Sequence, residues 1–262
     1  MDLGLNGQVA LVTASGRGLG LAIAQELAQE GVRVVLAARS AANLAHVTSS
    51  IIAKTGAEIV GLTYDGTRTE DVDRLVQQAE DQLGPIDILV NNSGGPETAS
   101  FASLSDNDWR NAIDVKLMAQ IRCARAVFPR MVQRGGGRIV NMAGTHGLLA
   151  HSYAITAGVV NAALLNLTKA LAEEGASSNV LVNAINPGPI LTERMEYLTN
   201  MKARELGVSY EEARAHLVAE TMLKRFGTPQ DIAAAVTFLV SKRAGFITGT
   251  YVNVDGGQIR SL

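Results

Sequence analysis

The sequence has little of what would tie it to a secreted, membrane or nucleic-acid setting. Its single cysteine, Cys123, cannot form an internal disulfide, and a reducing compartment fits. With 23 basic and 25 acidic residues the formal net charge is −2, so no basic surface calls for nucleic acid or an anionic membrane. The opening MDLGLNGQVALVTASG carries no basic leader, and its apolar run VALV is too short for a signal core or a membrane span. A soluble, cytoplasmic protein with no membrane segment is expected. The six prolines are scattered, and no linker, low-complexity tract or repeat marks a boundary. Residues 1–262 therefore read as one domain, long enough for a large core. No metal site is expected.

Apolar runs and helical periods alternate along the chain. QVALVT (8–13) is a short apolar run ended by glycines, as a buried strand would be. LGLAIAQELAQEG (19–31) has helical spacing and a glycine stop at Gly31. Strands are expected over 32–39, 57–65, 86–95, 137–144, 180–188 and 248–257. Helices are expected over 42–56, 69–84 (with Thr69 as N-cap), about 106–134, 157–175 and 229–241. This alternation predicts an α/β fold, a single doubly wound parallel sheet of Rossmann type, with ligands at the carboxyl ends of the strands.

TASGRGLG (13–20) follows the first strand and opens the first helix. Gly16, Gly18 and Gly20 would let the backbone approach a pyrophosphate, which the helix N-terminus favours. An NAD site wants an acid after the second strand for the ribose 2′-hydroxyl. Here the strand ends LAARS, with Ala38 and Arg39 and no acid. Arg39 with Arg17 could clasp a 2′-phosphate, which points to NADP(H); the alternative is two solvated arginines.

These motifs together resemble the short-chain dehydrogenase/reductase family over nearly the whole chain, and within it the β-ketoacyl reductase-like branch. TASGRGLG resembles the family's TGxxxGxG turn, with Ala14 at the first glycine. NNSGG (91–95), NPGPILT (186–192) and GTYVNVDGG (249–257) resemble its later signatures. The resemblance implies a cofactor cradle from Ser15, Gly16, Arg17, Gly18, Leu19, Gly20, Arg39, Ser40, Asp65, Gly66, Asn92, Gly94 and Ile190, with Asp65 contacting the adenine.

Family members usually carry an Asn–Ser–Tyr–Lys tetrad for acid–base and electrostatic work. GRIVNMAG (137–144) aligns the serine with Gly144, and LTKALA (167–172) aligns the tyrosine with Ala157 and the lysine with Asn161. DVKL (114–117) aligns the asparagine with Lys116. No tetrad position keeps its expected residue. Lys169 lies twelve residues past Ala157, roughly 18 Å along a helix, and cannot substitute. Tyr153 would share Ala157's face one turn earlier if helical, roughly 6 Å away, or would sit in a loop before the helix. Thr145, His146 and His151 lie on the segment that borders substrate in the family. Lys116, Tyr153 and His146 are the candidate catalytic residues, each weighed against a structural or solvated role. The residues at 116 and 161 look exchanged, so Lys116 would keep an ammonium close to the original place, with a lowered pKa.

Residues 191–227 lie where the family carries its substrate-covering lid. Met195, Tyr197, Leu198, Met201 and Met222 suit a small-molecule substrate that is bulky or partly hydrophobic, or pack the lid's own core. The helices over 106–134 and after Ala157 resemble those that pair family subunits, which implies a homodimer or homotetramer. Three functions stay open. The first is an NADP(H)-dependent oxidoreductase on a carbonyl or alcohol with a non-standard acid–base set. The second is a redox-neutral lyase, hydratase or isomerase. The third is a non-catalytic NADP(H)-binding subunit.

Overall fold

The computed structural model describes residues 2–95 and 99–261. Seven parallel strands form one sheet: β1 (Val9–Thr13), β2 (Arg33–Ala38), β3 (Ile59–Thr63), β4 (Ile88–Asn91), β5 (Gly137–Met142), β6 (Val180–Pro187) and β7 (Tyr251–Val254), in the order β3-β2-β1-β4-β5-β6-β7. The order reverses between β1 and β4, which opens a crevice at their carboxyl ends. β1 is buried along its whole length, and successive residues face opposite cores. Ala10 and Val12 pack with α1 (Gly18–Gln29), α2 (Ala41–Thr55) and α9 (Pro229–Val240). Val9 and Leu11 pack with α3 (Thr69–Leu83) and α5 (Ala119–Arg134). The expected doubly wound fold is thus observed.

Most helix ends follow local chemistry. Ser40 caps α2 by accepting from the Asn43 backbone N–H, and Gly56 ends the helix in the left-handed region at φ 67°. One expectation fails. Thr69 is the first residue of α3, and Arg68 holds the cap position without a side-chain bond. Acidic Glu70 and Asp71 in the first turn favour the helix dipole instead.

The helical stretch over 106–134 is continuous but not uniform. It runs α4 (Asp106–Ala112), a π-helical segment Ile113–Met118, then α5. The wide turn carries Lys116, and such turns often occur at functional sites. After β5 come two 3-10 turns, Thr145–Gly147 and Ser152–Ala154, and then α6 (Ile155–Gly175). Residues Ser152–Ser178 are long and apolar enough to cross a membrane by length and composition. Here α6 packs along β6 instead, and buries Val160, Leu164 and Ala172. Helices α7 (Glu193–Leu206) and α8 (Tyr210–Ala219) form a hairpin beyond β6.

Candidate active site

The glycine turn at the crevice is shaped by backbone contacts that exclude side chains. A Cβ on Gly20 would stand 2.5 Å from the Ala14 carbonyl and 2.8 Å from Ser15 Cα, so α1 begins flush against the turn. Gly18 lies at φ +57° with open space around its missing Cβ. Ala14, at the family's first glycine, takes φ +48°, where alanine is strained. Asn43 Nδ2 donates to the Gly16 carbonyl at 2.7 Å and holds the turn from α2. Ser15 is buried, and its hydroxyl accepts from the Ala37 N–H at 2.9 Å, tying the turn to β2.

The other expected cradle residues ring the same crevice. Asn92 Nδ2 reaches the Ala14 carbonyl at 3.4 Å. Arg39 is exposed at the end of β2, and its charge acts on Asp65. The Asp65 carboxyl is held below the usual range mainly by the Thr67 backbone N–H and hydroxyl. Arg122 donates to the Gly66 carbonyl at 3.1 Å. Gly94 and Leu19 lie at the surface or half-buried, and Ile190 is buried. Arg17 is already engaged: its guanidinium bonds Glu193, the first residue of α7, at 2.5 Å.

The candidate acid–base residues converge at the carboxyl end of β5. Lys116 is buried, and its Nζ donates to the Ala143 carbonyl at 2.8 Å. Burial, with the Arg194 charge adding to it, brings its pKa down to about 8. His146, His151 and Tyr153 form a ring cluster with centroids 5.1–5.8 Å apart. Burial first, then the His151 and Lys116 charges, push His146 down to about 4. Its Nε2 is buried without a hydrogen-bond partner among the described residues. Tyr153 sits in the 3-10 turn before α6, so the loop placement holds rather than the helical one. Burial, with Glu220 and Glu205, pushes its hydroxyl up to about 12, and Lys202 lies over the ring at 5.0 Å. Lys169 is remote, packed at Gly249.

Several supporting residues were not expected at the site, although Asn186 opens the NPGPILT signature. Asn186 Oδ1 accepts from the Gly144 N–H at 3.2 Å. Gln120 Nε2 donates to Ser93 Oγ and to the Met142 carbonyl. Gln258, from the C-terminal segment, bridges Thr145 and Glu220 at 3.1 and 3.0 Å. Carboxamides are ordinary surface residues in a sequence, and only tertiary packing buries them.

Fold and crevice define a doubly wound α/β protein with a dinucleotide-type glycine turn facing a cluster of ionisable side chains. A family model described as enoyl-(acyl carrier protein) reductase matches residues 13–258. The chain is 33% identical over 258 residues to the 3-oxoacyl-[acyl-carrier-protein] reductase of Aquifex aeolicus, covering 98% of this chain and 100% of that one. It is 36% identical to dehydrogenase/reductase SDR family member 4 of Bos taurus, covering 98% and 89% of the two chains. L-sorbose reductase from Gluconobacter frateurii, solved with NADPH and L-sorbose, superposes with a TM-score of 0.94 at 34% identity over all of both chains. The chain belongs to the short-chain dehydrogenase/reductase family.

Proposed function

We propose that this protein is an NADP(H)-dependent oxidoreductase that interconverts a carbonyl compound and its alcohol, with Lys116 in place of the family's tyrosine as proton donor. The observation that carries the reading is the buried Lys116 ammonium on Ala143 O, poised at a pKa of about 8 beside the crevice. A group that titrates near neutrality can give a proton in one direction and take it in the other.

The residues present fit the cofactor. Gly16 and Gly20 let the turn pack tightly against α2 and α1, Gly18 leaves open space at the start of α1, and β2 ends in exposed Arg39 with no acid. Arg39 would hold the 2′-phosphate, while Ser15, Leu19, Ser40, Asp65, Gly66, Asn92, Gly94 and Ile190 would line the rest of the site. Relatives solved with NADPH support this choice. When bound, NADPH supplies the hydride. The chain's part is to orient the substrate, exclude water and manage the proton. Lys116 donates to the substrate oxygen as negative charge develops there. The Ala143 carbonyl holds Nζ in place, as the ammonium before the transfer and as the amine after it.

His146 and Tyr153 support the substrate pocket rather than the proton step. Burial holds His146 down at about 4 and pushes the Tyr153 hydroxyl up to about 12, so both lie farther from neutrality than Lys116. The hairpin over 191–227 would close over the substrate. α6 leaves Val159 exposed, which supports pairing of subunits along that helix.

A thermal-shift titration with NADPH and with NADH, followed by NADPH oxidation across a panel of ketones and aldehydes, tests the reading. A larger shift with NADPH, and turnover that Lys116→Met abolishes, are expected. If neither nucleotide shifts the melt, the cofactor assignment is wrong. If NADPH binds and no carbonyl is reduced, the non-catalytic reading replaces this one. Turnover without NADPH consumption would favour the redox-neutral reading.

A further inference from the structure

Gly144 and Asn161 compete for one volume. A Cβ built on Gly144 would lie 2.8 Å from Asn161 Nδ2. The Asn161 carboxamide thus stands where a side chain at position 144 would begin. Gly147 lets this happen: its missing Cβ would come within 3.0 Å of the Asn161 backbone and Cβ, so the turn Thr145–Gly147 seats flush on α6. Asn161 is buried, and its Oδ1 has no hydrogen-bond partner among the described residues. On the preceding residue, the Ala143 carbonyl holds Lys116 Nζ. Nearby, the buried Nε2 of His146 also lacks a partner. Buried polar atoms without partners are costly unless a ligand or water meets them. Here the Asn161 carboxamide meets Gly144 and the Lys116 ammonium meets the adjoining Ala143 carbonyl, so both reach one peptide.

We propose that the Asn161 carboxamide is a catalytic contact of the reacting substrate oxygen, acting with Lys116 from the opposite side of the Ala143–Gly144 peptide. In the carbonyl form the oxygen only accepts, and Nδ2 and Nζ both donate to it. In the alcohol form its hydroxyl donates to the Lys116 amine, which takes the proton in that direction, and Nδ2 still donates to the oxygen. The glycine at 144 is then required, since a side chain there would expel the amide. The inference rests on the oxidoreductase reading, because it needs a carbonyl or alcohol oxygen in that place.

The test is a double-substitution cycle of Asn161→Ala and Gly144→Ser, read by melting temperature, NADPH affinity and steady-state kinetics. Asn161→Ala is expected to lower kcat/KM by about 10²–10³-fold, as loss of one such donor does, with NADPH affinity unchanged. Gly144→Ser is expected to lower the melting temperature in the native background. Part of that loss should return when Asn161 is alanine, although the strain at φ +155° remains. A kcat/KM within twofold of native for Asn161→Ala overturns the proposal. So do additive penalties in the cycle, which would mean that the two positions do not share the volume. The melting cycle needs no turnover. It therefore judges the geometry even if no carbonyl is reduced, a result that would count against the oxidoreductase reading alone.

Discussion

Replacing Lys116 by methionine separates function from stability, because its proposed role and its burial carry opposite signs. The folded chain holds the ammonium at a pKa of about 8 against the usual 10.5, chiefly through burial. That difference corresponds to about 3 kcal/mol against the charged form at neutral pH, at about 1.4 kcal/mol per pH unit. Methionine fills a similar volume and removes this penalty. It also removes the charged bond to the Ala143 carbonyl, worth about 1.5–3 kcal/mol. The net change is a gain of about 0–2 kcal/mol. At about 2–4 °C per kcal/mol for a chain of this size, the melting temperature should stay level or rise by a few degrees. Activity should fall by about 10²–10⁴-fold, the usual contribution of a positioned acid. The pH dependence carries the same sign logic. Between about 8 and 10.5 the unfolded chain holds a proton that the folded chain lacks, so native stability rises with pH across that window. The variant should lack this rise. Carbonyl reduction needs the ammonium and should decline above about pH 8, whereas alcohol oxidation should increase there. Calorimetric melts from pH 7 to 10.5 and kcat/KM profiles in both directions measure all of this. A variant that melts several degrees lower and keeps its activity would refute the assignment.

Three further substitutions probe the nucleotide end. Arg39→Ala should weaken NADPH binding by about 10–100-fold, the worth of a charged hydrogen bond, and leave NADH within about twofold; calorimetric titration of both nucleotides decides it. Glu193→Gln frees Arg17 from its exposed ion pair. NADPH affinity should then rise a few-fold at low salt, and the difference should vanish near 0.5 M salt as screening removes it. Gly20→Ala drives a methyl against the Ala14 carbonyl and Ser15 Cα, backbone that cannot yield. It should cost about 1–3 kcal/mol of stability and abolish the melting shift with NADPH.

The central strands were legible because they are buried on both faces and so read as mainly apolar runs, as VALVT does, whereas the edge strands β3 and β7 are partly exposed. Helix starts were less so. Thr69 has the chemistry of a cap, yet the chain turns one residue earlier at Arg68. The π segment Ile113–Met118 left no mark, since no glycine or proline interrupts it, and Pro129 lies inside α5 instead. Counting register brought Lys116 to the site, because DVKL aligns it with the family's asparagine. The same counting gave Asn161 only as an absence of lysine. Its place in the Gly144 volume depends on α6 meeting the turn Thr145–Gly147, a tertiary contact that no local pattern encodes. The engagement of Arg17 by Glu193 was equally out of reach, at a separation of 176 residues.

If Lys116, Gly144 and Asn161 form one rearranged set, the family's chemistry cannot be returned to this chain piecemeal. Ala157 is half-buried on the first turn of α6, so a tyrosine there has a path toward the crevice. A lysine at 161 does not share that freedom. Its stem would start from a buried position and carry a second ammonium toward the Ala143–Gly144 peptide, where the first already sits. Two buried like charges raise each other's cost, and the Arg194 charge already acts on this spot. The Ala157→Tyr/Asn161→Lys variant should therefore melt well below native and gain no reductase activity. Adding Lys116→Asn removes the repulsion and should recover much of the melting temperature. The further Gly144→Ser change should then be tolerated better than in the native background, because the carboxamide of Asn161 no longer fills its place. NADPH oxidation, lost with Asn161 in the double variant, would be expected to return in the triple variant and more strongly in the quadruple one. Strong activity in the double variant, with Lys116 still present, would show that the four positions are independent, and the coupled arrangement argued from the 2.8 Å approach at Gly144 would fall.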